Sequence, residues 1–186
     1  MFVDRIAIGH PGDIITDGAF EAAGRDPLLD MVGQDGPGPA FRWIFKMPIP
    51  FYHLGLWHLA GPFIMLVHKG RKSGKTRYTP LEYSYEPETD SYLLMAGWRG
   101  HTDWYRNVRA NPHVHAQVGR RAFDAVAEPM SDEESAKMLK RILIAGPGSA
   151  KMLHRWSDIP LDPDSPESLL CASKDFPCVR LRPVIK

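Results

Sequence analysis

The residues most able to do chemistry lie in "HKGRKSGKTRYTPLEY", residues 68–83, where Gly70 and Gly74 are surrounded by Arg71, Lys72, Lys75 and Arg77. A Gly-Lys-Thr at 74–76 suggests the phosphate loop of a nucleoside-triphosphatase, and the spacing tests that idea. Such a loop has four residues between its first glycine and the Gly-Lys pair, and it opens a helix whose N-terminus faces the phosphates. Here only three residues separate Gly70 from Gly74, and "TRYTPLEYSYE" carries Pro80 and a run of Thr and Tyr that favours a strand. The triphosphate loop is therefore excluded. What remains is a turn in which two glycines allow close backbone approach and four cations fall within residues 71–77. That chemistry suits a phosphate or a carboxylate, bound through charge-assisted hydrogen bonds. A solvated basic turn that keeps a sheet edge soluble fits the same residues equally well.

A second stretch, "AGWRGHTDWYRNVRANP", spans residues 96–112. A strand ends at Ala96-Gly97, and after a short loop a helix presents Trp104, Tyr105 and Asn107. Aromatics beside a glycine-bearing strand end suit a flat ring that stacks while backbone groups bond its edge. Helical spacing equally places Trp104 and Val108 in a core. Other groups carry less. His113 and His115 share a strand face without a third ligand, so no metal site is expected. No Gly-x-Ser-x-Gly elbow occurs, and "GPGSA" at 146–150 has no matching triad. Cys171 and Cys178 have no local activating partner and form no CxxC pair.

These residues need elements to hold them. "PFIMLVH", "TRYTPLEYSYE", "SYLLMAGW", "HVHAQVG" and "AFDAVAE" read as strands, and "FPCVRLRPVI" as a final one. In "HVHAQVG", Val114, Ala116 and Val118 alternate with polar residues. "TDWYRNVRANP" reads as a short helix capped by Thr102 or Asp103 and stopped at Asn111-Pro112. "SDEESAKMLKRILIAG" is a helix with Ser131 and Glu134 in capping-box spacing, ended by Gly146-Pro147. "SPESLLCAS" reads as a helical turn. Hairpin-linked strands with one short insertion imply an antiparallel barrel with helices outside.

Residues 1–40, rich in Gly, Pro and Asp, read as an irregular arm before a domain over 41–186. The stretch 41–61, "FRWIFKMPIPFYHLGLWHLAG", is dense in aromatics and broken by Pro48 and Pro50. It suits a core or dimer interface better than a membrane-surface segment. The net charge of +1 makes the basic turn a local device and argues against nucleic acid. The absence of a CxxC pair or disulfide framework, and an N-terminus with an acidic residue at position 4 and only a short apolar run, lead us to expect a cytoplasmic protein, with peripheral membrane contact through 41–61 as the membrane candidate.

Taken together, "HKGRKSGKTRYTPLE", "YLLMAGWRGHTDWYRNVRANPHVHAQVGRRAF" and "FPCVRLRP" resemble the deazaflavin-dependent nitroreductase family, in order and spacing over residues 62–185. The resemblance implies an α+β, mainly β fold: an antiparallel split β-barrel of the FMN-binding-like type with helices packed outside. It implies coenzyme F420 as cofactor, with FMN the alternative, and a reductase passing a hydride to an enone, quinone or nitro compound. Gly70, Arg71, Lys72, Ser73, Gly74, Lys75, Arg77 and Thr79 would lie along the acidic phosphate and oligoglutamate tail. Ala96, Gly97, Trp98, Trp104, Tyr105 and Asn107 would surround the ring. Tyr105 and His101 are the candidates for proton delivery. The segment before Trp-Tyr is only "WRGHTD", which leaves Arg99 or His101 to fill a polar role there. The tyrosines that line the substrate pocket in the best-known branch do not map onto this chain. The alternatives are an FMN- or haem-binding split barrel and a non-catalytic cofactor-binding or membrane-associated module, as monomer or homodimer.

Overall fold

The computed structural model describes residues 63–145 and 159–184, together with 32–33, 36–37, 49–50, 153–154 and 157. The aromatic stretch 41–61 lies outside the described residues apart from 49–50, as do Gly146-Pro147 and the "GPGSA" segment. Within the arm 1–40, one antiparallel ladder pairs β1 (Val32–Gly33) with β2 (Gly36–Pro37).

The remaining strands form one antiparallel sheet. They are β3 (Phe63–Lys69), β4 (Thr76–Glu82), β5 (Ser84–Glu86), β6 (Ser91–Met95), β7 (His113–Val118), β8 (Arg121–Pro129) and β9 (Cys178–Pro183), in the spatial order β4-β3-β7-β8-β9-β6-β5. The sequence expectation of a single strand over 76–86 is refined in an informative way. β4 is one edge of the sheet and β5 the other, and only Tyr83 separates them along the chain. One extended segment therefore serves both edges, which forces the sheet to curl until they approach. Tyr83 meets Tyr92 of β6 edge-on at 5.6 Å, and Tyr85 and Phe123 flank the same ring at 5.0 Å each. This curled, incompletely closed antiparallel sheet is the expected split barrel. Pro80 is tolerated because it sits in an edge strand.

Side-chain alternation gives the curled sheet an inner core and a partly covered outer face. Ile64 and Leu66 of β3, Tyr92 and Leu94 of β6, Val114 and Ala116 of β7, Ala125 and Ala127 of β8, and Val179 and Leu181 of β9 pack together inside. Helix α1 (Asp103–Ala110) adds Trp104, Tyr105 and Val108 to this inner cluster. The outer faces of β6 and β9 are covered by α2 (Asp132–Ala145) and α3 (Pro166–Ser173), whose own cluster is built on Leu139, Leu143, Leu169 and Phe176. Leu93, Met138 and Cys178 join helix to sheet. This two-sided burial explains why "YLLM" is unbroken apolar sequence while "HVHA" alternates, since His113 and His115 point to an uncovered face.

The capping box forms as expected: the Ser131 N–H donates to Glu134 Oε2 at 3.0 Å, and the Glu134 N–H donates to Ser131 Oγ at 3.2 Å. "SPESLLCAS" is a full eight-residue helix rather than a turn, with Ser165 accepting from the Ser168 N–H at 3.2 Å and Pro166 opening it. Among the described residues no helix is long and apolar enough to cross a membrane.

Because β6 is buried on both faces, Leu93→Ala and Leu94→Ala should each lower stability by about 2–5 kcal/mol. His113→Ala, on the open face of β7, should change it by less than about 0.5 kcal/mol. Urea denaturation of the three variants checks the contrast.

Candidate cofactor site

The inward row of β3, Ile64 and Leu66, ends in a polar residue, His68, which is 3% exposed. The chain then leaves the sheet at Gly70 and returns at Thr76. The Gly70 N–H donates to the Lys75 carbonyl at 2.9 Å and the Gly74 N–H to the Gly70 carbonyl at 2.7 Å, closing a tight loop. Gly74 takes φ +63°, a conformation that disfavours side chains, with open space around its Cα. The hairpin expected from sequence is present, and its glycines have a backbone reason.

Loop 70–75 is docked on α1. The backbone N–H of Arg71 donates to Asn107 Oδ1 at 3.0 Å, and Arg71 Nη1 donates to Asn107 Oδ1 at 3.0 Å and to Asp103 Oδ1 at 2.9 Å. Asn107 Nδ2 faces His68 Nδ1 at 3.3 Å, and His68 Nε2 faces Thr79 Oγ1 at 3.1 Å. Asn107, 5% exposed, thus joins the two motifs directly. Burial moves the His68 pKa below its ordinary value, reinforced by the Arg77 charge and opposed by a backbone hydrogen bond at Lys69 and by Asp103.

These contacts sort the expected tail-binding residues. Arg71 and Thr79 hold protein to protein: Arg71 through α1, Thr79 through His68. Lys72, Ser73, Gly74, Lys75 and Arg77 are exposed. Among the described residues, Lys72, Lys75 and Arg77 have no carboxylate within ion-pair distance. Lys69 donates to Thr76 Oγ1 at 2.9 Å across the base of the loop.

The second stretch forms a turn against the same helix. Ala96 is fully buried and its N–H donates to the Pro177 carbonyl at 2.9 Å. Trp98, Arg99 and Gly100 follow with φ of +51°, +53° and +66°. The Arg99 N–H donates to the Asp175 carbonyl at 3.0 Å, and Arg99 Nε lies 3.3 Å from Asp175 Oδ1. A Cβ at Gly100 would stand 3.0 Å from both Tyr105 Cε1 and Pro177 Cγ. Trp98 is partly exposed, whereas Trp104 and Tyr105 are 6% and 9% exposed and pack edge-on at 6.0 Å inside the inner core. Trp104 and Tyr105 thus belong to the inner cluster, and Arg109 lies over the Tyr105 ring at 5.7 Å. His101 is exposed beside the turn. Thr102 precedes α1 without a side-chain cap bond, so its expected capping role is not realised.

Other residues are set aside by their surroundings. Cys178 is buried against Ser135 and its thiol is pushed up to about 12 by burial, which leaves it protonated. His115 pairs with Asp124 at 3.0 Å on the exposed face of β7. Sequence reading passed over His68, whose only signal was that it ends an apolar period-2 row next to the basic loop. It also passed over Asp175 and Pro177, which are distant in sequence and carry no motif.

Residues 54–161, more than half of the chain and including both site segments, match the family model for F420H(2)-dependent quinone reductase. The chain belongs to this family. The resemblance drawn from the two motifs is borne out, and membership places the chain among F420-dependent reductases. A putative F420H(2)-dependent quinone reductase of Mycobacterium tuberculosis, Rv3178, is 32% identical over 83 residues, covering 43% of this chain and 68% of that protein. The F420H(2)-dependent quinone reductase Rv1261c of the same organism is 33% identical over 78 residues, covering 40% of this chain and 51% of that protein, so the chain spans about half of its length. Among solved structures, an F420-H2-dependent reductase (FDR-A) is 28% identical, with 66% of this chain and 95% of that chain covered at a TM-score of 0.47.

The two glycines of the site should differ in their tolerance. Gly74→Ala meets only backbone strain and should cost about 1 kcal/mol. Gly100→Ala adds a clash with Tyr105 and Pro177 and should cost about 2–4 kcal/mol. Comparison of their denaturation midpoints tests this order.

Proposed function

We propose that this protein is an F420-dependent reductase in which loop 70–77 receives the acidic tail of the cofactor and the turn at 96–100 borders its ring. The hydride acceptor we propose is a small electron-poor organic molecule, a quinone in the first instance, with enones and nitro compounds in the same chemical class. The observation that carries the reading is the division of labour in the basic loop. Arg71 is spent on fixing the loop to α1, while Lys72, Lys75 and Arg77 project from it with no carboxylate partner among the described residues. A solvated turn needs no such fixation, whereas an anion site gains from cations whose backbone is already ordered. The quinone reductase names of Rv1261c and Rv3178 support the choice of acceptor.

The residues present fit an anionic tail at one end and a flat group at the other. When bound, the reduced deazaflavin supplies the hydride, and the protein orients its ring and restricts access to it. Lys72, Lys75 and Arg77 bind anionic oxygens, with Arg77 able to do so bidentately. The turn at 96–100 offers backbone and the partly exposed Trp98 rather than the faces of Trp104 and Tyr105. Of the two proton-delivery candidates, Tyr105 is enclosed in the core, and His101 is the one exposed beside the turn. No protein nucleophile is needed, and Cys178 is in no state to supply one.

Binding of F420, followed by fluorescence or calorimetry, is the primary test, and no binding at micromolar concentration would sink the reading. An FMN absorption band in the purified protein would favour the flavin alternative instead. Arg77→Ala and Lys75→Ala should each weaken F420 about tenfold, the scale of one charge-assisted contact, with the effect shrinking at high salt. A deazaflavin lacking the tail should lose less than about twofold, as it makes no such contact. Equal losses for both ligands would contradict the assignment of the loop.

A further inference from the structure

The amide of Asn107 can be oriented in only one way. Its Oδ1 accepts two hydrogen bonds from Arg71, one from the backbone N–H and one from Nη1, both at 3.0 Å. Its Nδ2 is a donor, and it faces His68 Nδ1 at 3.3 Å. His68 Nδ1 must therefore be an acceptor, which makes His68 neutral with its proton on Nε2. That proton is directed at Thr79 Oγ1, 3.1 Å away. The tautomer of His68 and the orientation of the Asn107 amide are thereby assigned.

A proton on Nδ1 would set donor against donor. Turning the Asn107 amide over would relieve the clash with His68 but would present Nδ2 to two donors of Arg71. Either arrangement gives up hydrogen bonds at a site where His68 and Asn107 are 3% and 5% exposed, and buried unsatisfied groups are expensive. We propose that neutral His68 is a positioning residue for the basic loop: through Asn107 it fixes Arg71 and residues 70–75, and its protonation releases them. This rests on the reading of the loop as the seat of the cofactor tail, and it adds a pH-gated control of tail binding. His68, 3% exposed, acts in this proposal through Asn107.

The surroundings of His68 agree with this. Arg77, its cross-strand neighbour on β4, disfavours a second positive charge, and Asp103 on α1 favours one but is itself paired with Arg71. Lys69, next on the strand, is tied to Thr76. On β7 the nearest titratable residue, His115, is the partner of Val67 and lies on the opposite face. Burial is the largest influence and keeps the imidazole neutral, against a backbone hydrogen bond at Lys69 that favours the charged form. As pH falls through the ordinary histidine range near 6.5, the unfolded or released state takes up the proton first, so the ordered loop loses stability on acidification and keeps it above about pH 7.

Two measurements test the proposal. The first follows the affinity of F420 and of the tail-less deazaflavin from pH 7.5 to pH 5 in wild type, His68→Asn and His68→Leu. Asn places an acceptor oxygen where Nδ1 stands and does not titrate. Wild type should lose about tenfold for F420 on acidification, the scale of one or two net hydrogen bonds, with the tail-less ligand nearly unchanged. His68→Asn should bind within about threefold of wild type at pH 7.5 and show no such loss, while His68→Leu should be weaker at every pH by about the value of the missing bond. The same acid loss in His68→Asn as in wild type would overturn the proposal. The second measurement needs no cofactor: the imidazole ¹⁵N shifts of the wild-type protein should report an Nε2–H tautomer at pH 7, and the Arg71 amide should exchange faster with solvent as that signal titrates. A protonated or Nδ1–H His68 at pH 7 would also overturn it. Failure of F420 to bind at pH 7.5, with the imidazole signals as expected, would refute the tail site and leave the positioning role of His68 standing.

Discussion

The amide of Asn107 is the interaction on which the candidate site depends. It sits where three separate parts of the chain meet: the end of β3 at His68, the loop at Arg71, and the second turn of α1. A buried amide with three bonds to protein partners specifies geometry in a way that apolar packing does not, because each bond fixes which atom donates and which accepts. The exposed ion pair of Arg71 with Asp103 adds little by itself, since the aspartate side chain is 83% exposed. Without Asn107, the ties of the loop to α1 among the described residues would reduce to that exposed ion pair.

That amide can be buried only because the sheet curls. The passage from β4 to β5 through Tyr83 draws the two edges of the sheet together and creates an interior that α1 partly fills with Trp104, Tyr105 and Val108. The inner row of β3 brings His68 to the rim of this interior, where α1 presents Asn107. The Tyr83, Tyr85, Tyr92 and Phe123 rings secure the closing seam, and Arg121 crosses it by pairing with Asp90 at 2.6 Å while lying over Tyr92 and Phe123. The Arg121 guanidinium and the Tyr85 hydroxyl hold the Asp90 carboxyl below the usual carboxylate range. Fold closure and site geometry are therefore one problem, solved by the same strands.

Much of this was legible in the sequence, for identifiable reasons. Alternation in "HVHAQVG" and the capping box at Ser131 and Glu134 are local signals, and the structure follows them. The spacing of Gly70 and Gly74, with the strand-forming residues beyond, sufficed to exclude a triphosphate loop. The stretch 76–86 was less legible, because a strand that serves both edges of a barrel has the same pattern as one that serves a single edge. The roles within the site were least legible. Arg71 and Lys72 are adjacent cations, and only the position of Asn107 makes one a structural tie and leaves the other exposed. Trp104 and Trp98 are both aromatics near a strand end, and only the direction of α1 sends one inward.

The turn at 98–100 carries the dependence one layer further out. Trp98 and Arg99 hold left-handed backbone that costs an ordinary residue on the order of 1–2 kcal/mol each, so something outside the turn must impose it. The residues that do so are Asp175 and Pro177, whose carbonyls take the Arg99 and Ala96 N–H groups, with the Pro177 ring against Gly100. Both lie in the connection between α3 and β9. Phe176 between them is fully buried among Leu139, Leu143 and Leu169 of the outer helices. The packing of α2 and α3 on the outer face thus fixes the connection, and the connection fixes the turn. A helical layer that looks like a cover for the sheet is in this way part of the support of the 96–100 turn.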